Sequence, residues 1–331
     1  MRVIVDTRWL GPHGIGRFAR ELFSRLPGAE PLSNAPDKLS IVNPLWLWRT
    51  LKRSQPDIYF TPGFNPPLGN PCPFVFAIHD LIHLDVPGER DFVKRAYYET
   101  VVRPATRRAD GVVTISQFSQ RRISEWSGLP EERIRVIGVG VSDDFRPAGP
   151  KRAHCKPYLL FVGNSKPHKN LKRLLQAFAR SGLAGDFDQL LCAPEERTTL
   201  EWIGESGLMG AVTVTGPLAD AELAAAYRGA AALVFPTLYE GFGLPALEAM
   251  ACGVPVLTSA LTSLPEATAD AALVVDPYNV EAISAGMRRL VEDSDLRGEL
   301  ARRGLARARL FVWDDVVTRL RLLFSEVIGG R

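Results

Sequence analysis

The sequence predicts an α/β chain of two parallel-sheet domains, and three observations carry that prediction. Short β-branched runs alternate with helical patterns along the chain, as parallel βαβ units require. The alternation breaks once, at "SDDFRPAGPKRAHCKP", which is rich in proline and charge and lacks periodicity, and then restarts. The length, 331 residues, exceeds one ordinary core and suits two.

Before the break the strand candidates are "RVIVDT", "LSIVN", "DIYFTPG", "FVFAIHD", "GVVTIS" and "IRVIGVG"; after it they are "YLLFVGN", "QLLCAP", "VTVTG", "ALVFPT", "VPVLTS" and "ALVVDP". The domain boundary is therefore placed near Pro150, giving domains 1–150 and 151–331. From Val280 onward Ile283, Met287, Leu290, Leu300, Leu305, Val316, Leu320 and Leu323 recur at helical spacing. These helices are expected across the outside, with the terminal one packing back on the first domain. Open α/β sheets bind ligands beyond the carboxyl ends of their strands, so two such halves imply a cleft between them, with motifs placed just after strands.

Composition narrows the function classes. With 46% hydrophobic residues, 23% charged residues and a net charge of +3, the chain reads as a soluble globular protein without a disordered charged tail. The apolar run in "MRVIVDTRWLGPHG" is too short for a signal peptide, and no segment supplies the roughly 18 to 20 apolar residues of a membrane span, so a cytoplasmic location is expected. Lys and Arg outnumber Asp and Glu by 20 to 16 up to position 150, and trail them 20 to 21 beyond it. This excess is too mild to imply a nucleic-acid partner. Around "KRAYYETVVRPATRRADG" it fits an anionic acceptor, peripheral contact with an anionic membrane face, or a solvated helix face. Cys72, Cys155, Cys192 and Cys252 lack the spacing of a zinc site or redox pair and are expected as buried free thiols.

The chemistry concentrates in "TLYEGFGLPALEAMACGVPV", which follows the strand "ALVFPT". Pro245 suits the first turn of a helix that stops at Gly253. Glycines before a helix start make an anion site: first-turn N–H groups point outward, and Gly241 and Gly243 permit close backbone approach, so a diphosphate fits. Glu240 and Glu248 would repel it unless they reach past it to hydroxyl-bearing groups at its two ends. A carboxylate accepts two hydrogen bonds from a vicinal diol, so one Glu would hold a ribose and the other a transferred hexose.

With these residues the stretch resembles the E-x7-E signature of retaining glycosyltransferases of family 4, whose GT-B fold pairs two Rossmann-like domains. The resemblance implies that Glu240 contacts the donor sugar, that Glu248 contacts the ribose, and that the turn Gly241, Phe242, Gly243 and Leu244 binds the donor. "LLFVGNSKPHKNLKRLLQAF" resembles the family's strand, glycine and basic loop, with Lys169 at the phosphate-binding position; a fixed ammonium stabilises the charge that grows on a leaving diphosphate. Asn164 stands where an arginine is usual, and Lys166 or Arg17 supplies the second charge. Gly216, closing "VTVTG", is a further donor-side candidate. "GPHGIGRFARELFSRL" resembles the first strand-to-helix loop, with Gly14 and Gly16 admitting backbone close to substrate; alone, a G-x-G is also ordinary turn chemistry. His79, at a strand's carboxyl end, matches a histidine near the donor sugar, with His83 as the bland alternative.

Asp186/Asp188 and Asp293/Asp295 form Asp-x-Asp strings, but the first precedes a strand, the second sits in a helical stretch, and neither has a ligand cluster beside it. The resemblance therefore implies a metal-independent hexosyltransferase that needs no cofactor, uses a GDP- or UDP-sugar donor and acts on a glycan or lipid-linked glycan. "TLYEGFGLP" with "GNSKPHKN" resembles bacterial mannosyl and related polysaccharide enzymes, tilting the donor toward GDP-mannose. A nicotinamide-dependent oxidoreductase is the rival, but "GPHGIGRF" does not form G-x-G-x-x-G. A catalytically silent sugar-nucleotide binder is the other.

Overall fold

The computed structural model describes every residue except 12, 13, 34, 38, 39, 41, 90, 91 and 331. It divides into one unit of Met1–Gly140 with Val312–Arg331 and a second of Val141–Phe311.

The first unit is built on β1 (Val3–Val5), β2 (Ala29–Pro31), β3 (Ile58–Thr61), β4 (Phe74–Ala77), β5 (Gly111–Thr114) and β6 (Ile134–Val136). All pairs are parallel, in the order β2-β1-β3-β4-β5-β6. β3, β4 and β5 are buried along their whole length, which is why they read as continuous apolar runs rather than alternating ones. Two strand expectations change. "LSIVN" is no strand: residues 39 and 41 lie outside the described residues, Ser40 and Val42 are in no strand, and Asn43 starts the helix Asn43–Ser54, where Pro44 at its first turn favours helix. The edge strand is instead "AEP", short and mostly exposed, held by main-chain pairing to β1 rather than by side-chain burial.

The helix Trp313–Gly329 belongs to this first unit. Its apolar stripe of Trp313, Val316, Leu320, Leu323 and Phe324 is buried, with Phe324 meeting Phe60 at 5.7 Å and Trp313 meeting Phe18 at 5.9 Å. Arg319 donates to the Ile137 carbonyl at 2.7 Å. Burial of each large side chain stabilises this docking by about 1.5–3 kcal/mol.

The second unit repeats the plan with β7 (Tyr158–Val162), β8 (Asp188–Cys192), β9 (Val212–Val214), β10 (Ala232–Phe235), β11 (Val256–Thr258) and β12 (Leu273–Val274), all parallel, in the order β12-β11-β10-β7-β8-β9. The unit begins at Val141, ahead of the Pro- and charge-rich stretch. The Val141 amide pairs with the Phe311 carbonyl, and the Arg228 guanidinium collects the carbonyls of Asp144, Arg146 and Pro150. Cys72, Cys192 and Cys252 are buried free thiols, whereas Cys155 is exposed, because it lies in that unstructured stretch. Burial pushes the Cys192 and Cys252 thiols up to about 11, which keeps them unreactive.

Candidate active site

In the second sheet the chain direction of strand addition reverses between β7 and β10, and at such a switch point the loops leaving the two strands splay apart and leave a crevice. The loop after β7 carries Asn164, Lys166 and Lys169; the loop after β10 carries Glu240 and the glycine turn. The two loops are stitched together at one carbonyl. His168 O accepts from the Leu238 amide at 2.7 Å, and Thr237 Oγ1 lies 2.8 Å from the same oxygen. Asn170, in the left-handed region at φ 60°, donates from Nδ2 to Pro236 O at 2.9 Å and Pro277 O at 2.7 Å. Asn tolerates this conformation at little cost, so it can end the 3-10 turn Pro167–Lys169 and start the helix Leu171–Ser181 in one residue.

The stitching brings Lys169 onto Glu240. Lys169 Nζ lies 2.8 Å from Glu240 Oε1 and 5.3 Å from the centre of the Phe235 ring. Both side chains are mostly buried, at 14% and 11% exposure. Thr237 Oγ1 lies 2.9 Å from the same Oε1, whereas Oε2 makes no hydrogen bond to any described residue. An ammonium has three protons, so Lys169 keeps two for an anion while one holds the carboxylate.

Gly243 precedes the helix Leu244–Ala251 at φ 107°, a conformation that only glycine adopts without strain, and a Cβ there would also sit 2.8 Å from Leu264. The amides of Ala246 and Leu247 turn back to the Gly243 carbonyl. Those of Gly241, Phe242, Gly243 and Leu244 carry no hydrogen bond to any described residue, although the first three residues are buried. Consecutive amides of this kind at a helix start offer an anion a set of fixed donors.

Glu248, on that helix, is 2% exposed, and its Oε2 accepts from Tyr227 Oη at 3.0 Å. The Tyr227 partner was not legible in the sequence. Asn164 Oδ1 caps the Lys166 amide at 3.2 Å, and Lys166 is exposed. Gly216 has φ 75° and open space where a Cβ would point. Of the Asp-x-Asp strings, Asp188 starts β8 and pairs with His154 at 2.6 Å, and Asp293 caps the helix Ser294–Ala308. Among the described residues no group of three or more His, Cys, Asp and Glu side chains is gathered in metal-binding geometry.

Gly14, Gly16, Arg17 and His79 lie in the first unit. His79 follows β4; its Nε2 is 2.7 Å from the Pro62 carbonyl and its ring packs edge-on against Phe18 at 4.6 Å, so the imidazole is fixed in orientation. The two glycines differ. A Cβ on Gly14 meets nothing within 4 Å, whereas one on Gly16 would lie 2.2 Å from the Gly11 carbonyl oxygen, so Gly16 makes room for the chain's own loop. Gly16→Ala is expected to lower the melting temperature clearly, while Gly14→Ala, at the first turn of its helix, leaves it unchanged or raises it. Equal melting temperatures for the two variants in a thermal scan would contradict this.

The family model described as glycosyl transferases group 1 matches residues 143–307, and that for glycosyltransferase family 4 matches residues 4–145. The chain is 34% identical over 269 residues to the O-antigen chain mannosyltransferase B of Escherichia coli, covering 74% of this chain and 68% of that protein. It is 30% identical over 294 residues to the serotype-specific mannosyltransferase WbdA of Escherichia coli, covering 79% of this chain but only 35% of WbdA, so it spans about a third of that protein's length. Among solved structures, WaaG, a glycosyltransferase involved in lipopolysaccharide biosynthesis, superposes over 100% of both chains with a TM-score of 0.78 at 17% identity. The sucrose-phosphate synthase of Thermosynechococcus elongatus does so over 99% of both with 0.76 at 20%. These two likenesses show the fold.

Proposed function

The chain belongs to the family 4 glycosyltransferases, with the GT-B class of fold, and from that premise we propose that it transfers mannose from GDP-mannose to a hydroxyl of a glycan or lipid-linked glycan. Transfer retains the anomeric configuration and uses neither metal ion nor cofactor. The observation that carries the reading is the Lys169–Glu240 pair beside four unpaired amides at the β7/β10 switch point. A cation and a helix start face the diphosphate, and a carboxylate oxygen left open faces the sugar. The mannosyltransferase names of both Escherichia coli relatives support mannose over glucose. UDP-sugar transfer is the second reading, since the phosphate contacts do not depend on the base.

In the proposed step the bond from the anomeric carbon to the diphosphate oxygen breaks, and the acceptor oxygen bonds to the same face of that carbon. The acceptor proton passes to the oxygen of the leaving diphosphate. Lys169 and the 241–244 amides stabilise the charge that this oxygen gains, and Glu240 stabilises the positive charge of the sugar ring. No protein nucleophile is required.

The test is transfer from GDP-mannose and from UDP-glucose, with NADH oxidation as the control for an oxidoreductase and the product anomer read by NMR. GDP release coupled to an α-linked product, undiminished by EDTA, is expected. An inverted anomer, or EDTA inhibition reversed by magnesium, would overturn the mechanism; donor binding without turnover would leave a silent binder.

Peripheral membrane contact belongs to the same proposal. Phe92 and Val93 are 85% and 73% exposed beside Lys94 and Arg95, and Arg103, Arg107 and Arg108 line a cavity of about 480 Å³ on the first unit. Apolar side chains among cations suit an anionic lipid surface. Among the described residues no helix is long and apolar enough to cross a membrane. Cosedimentation with phosphatidylglycerol vesicles should fall on Phe92→Ser and Lys94→Glu; equal partition of wild type and variants would refute the contact.

A further inference from the structure

Beyond the residues that face substrate, we infer that Thr262 is a positioning residue that aims the Glu240 carboxylate; this rests on the proposed role of Glu240. Four side-chain hydroxyls between Thr258, the last residue of β11, and Ser263 reach across to the stretch from Phe235, the last residue of β10, to Glu240. Thr258 Oγ1 donates to Phe235 O at 2.9 Å, Ser259 Oγ to Thr237 O at 2.7 Å, and Ser263 Oγ to Glu240 O at 2.8 Å. Thr262 Oγ1 accepts the Glu240 amide at 3.0 Å. Glu240 is thereby held at its N–H by Thr262, at its C=O by Ser263, and at Oε1 by Lys169 and Thr237. Its one remaining polar atom, Oε2, is the one proposed to meet the sugar.

Thr262 makes its contact from the left-handed region, at φ 56°. That conformation is unfavourable for a β-branched residue, whose Cβ substituents crowd the backbone. A turn selected for stability alone would carry glycine or asparagine there. Threonine instead keeps a hydroxyl at the one backbone donor that sets where Glu240 leaves the chain, and such local strain persists where the surrounding structure uses it. Thr262 is half-buried and Ser263 fully buried, so the segment is packed rather than loose. Releasing the Glu240 amide frees the carboxylate to shift, and a shift of roughly 1 Å at a reacting group costs up to about a hundredfold in rate.

Three substitutions separate this role from a merely structural one. Thr262→Gly removes both the hydroxyl and the backbone strain; Thr262→Val removes the hydroxyl and keeps the strain; Thr262→Ser keeps the hydroxyl. Positioning predicts that Gly and Val lose kcat alike, by about tenfold, with little change in donor KM, although the Gly variant melts above the Val variant, and that Ser retains kcat. Activity that simply follows melting temperature, with Gly active and Val not, would overturn the inference. The Glu240→Gln background completes the test. There Thr262→Val should cost nothing further, because the oriented charge is already gone. Full activity of Glu240→Gln alone would overturn the reading of Glu240 and this inference with it. An inactive Glu240→Gln together with fully active Thr262 variants would overturn only the role of Thr262.

Discussion

Glu240→Gln is expected to lower kcat about a hundredfold while leaving donor KM nearly unchanged. The substitution is close to isosteric, and the amide oxygen can still accept from Lys169 Nζ and from Thr237, the two groups within 2.9 Å of Oε1. The loss therefore reports charge rather than packing. A unit negative charge about 5 Å from a developing positive sugar ring, at an effective dielectric near 20, is worth about 3 kcal/mol, and a hundredfold in rate is about 2.7 kcal/mol. Because the positive charge is absent from the bound donor, this attraction appears mainly in the transition state. Glu248 should contrast with it. Its contact to the ribose would be equal before and during bond breaking, so Glu248→Ala should raise donor KM and spare kcat. Steady-state kinetics on purified variants, with GDP binding measured calorimetrically, make the comparison. Matching kinetic signatures for the two glutamates would mean that the ends of the donor have been assigned backwards.

The strands were legible because parallel sheets bury both faces. Runs such as "FVFA" and "ALVF" have no competing helical reading once the bordering prolines are counted, Pro73 before the first and Pro236 after the second. The failures have the same cause turned round. "AEP" carries no apolar signal because an edge strand needs none, and "LSIVN" carries one that the following Pro44 turns into a helix start. Each half of the proposed donor site was legible as a strand-end motif. That Lys169 meets Glu240, 71 residues away, was not, since it depends on β7 lying beside β10. Thr237, Thr262, Ser263 and Tyr227 were missed because Ser and Thr after a strand read as turn chemistry, and a tyrosine inside a helix reads as core. The one available signal was "TSALTSLPE", a second hydroxyl-rich turn with a Pro helix start directly after a strand.

Lys169→Met should be the more damaging substitution, because it removes two things at once. Methionine keeps an unbranched apolar side chain of similar length beside Phe235, whose ring centre lies 5.3 Å from Nζ, so the change removes the ammonium with little loss of volume. Without it the leaving diphosphate keeps the 241–244 amides but loses its only cation on the described β7 loop that is both fixed and largely buried, and kcat should fall by about two to three orders of magnitude. Donor affinity should fall less, since diphosphate charge is greatest when the bond is broken. The same substitution leaves the Glu240 carboxylate, 11% exposed, without its ion partner. Orphaning one member of a mostly buried pair costs up to about 3 kcal/mol, so the second unit should also melt at a lower temperature. These two losses can be separated. Combining Lys169→Met with Glu240→Gln removes the orphaned charge, so the double variant should regain most of the melting temperature while remaining as inactive as the worse single variant. Recovery of both stability and turnover in the double variant would show that Lys169 serves only to neutralise Glu240. Unchanged kcat with weakened donor binding in Lys169→Met alone would make the lysine a ground-state anchor, and the leaving-group charge would then have to be carried by the backbone amides of the glycine turn.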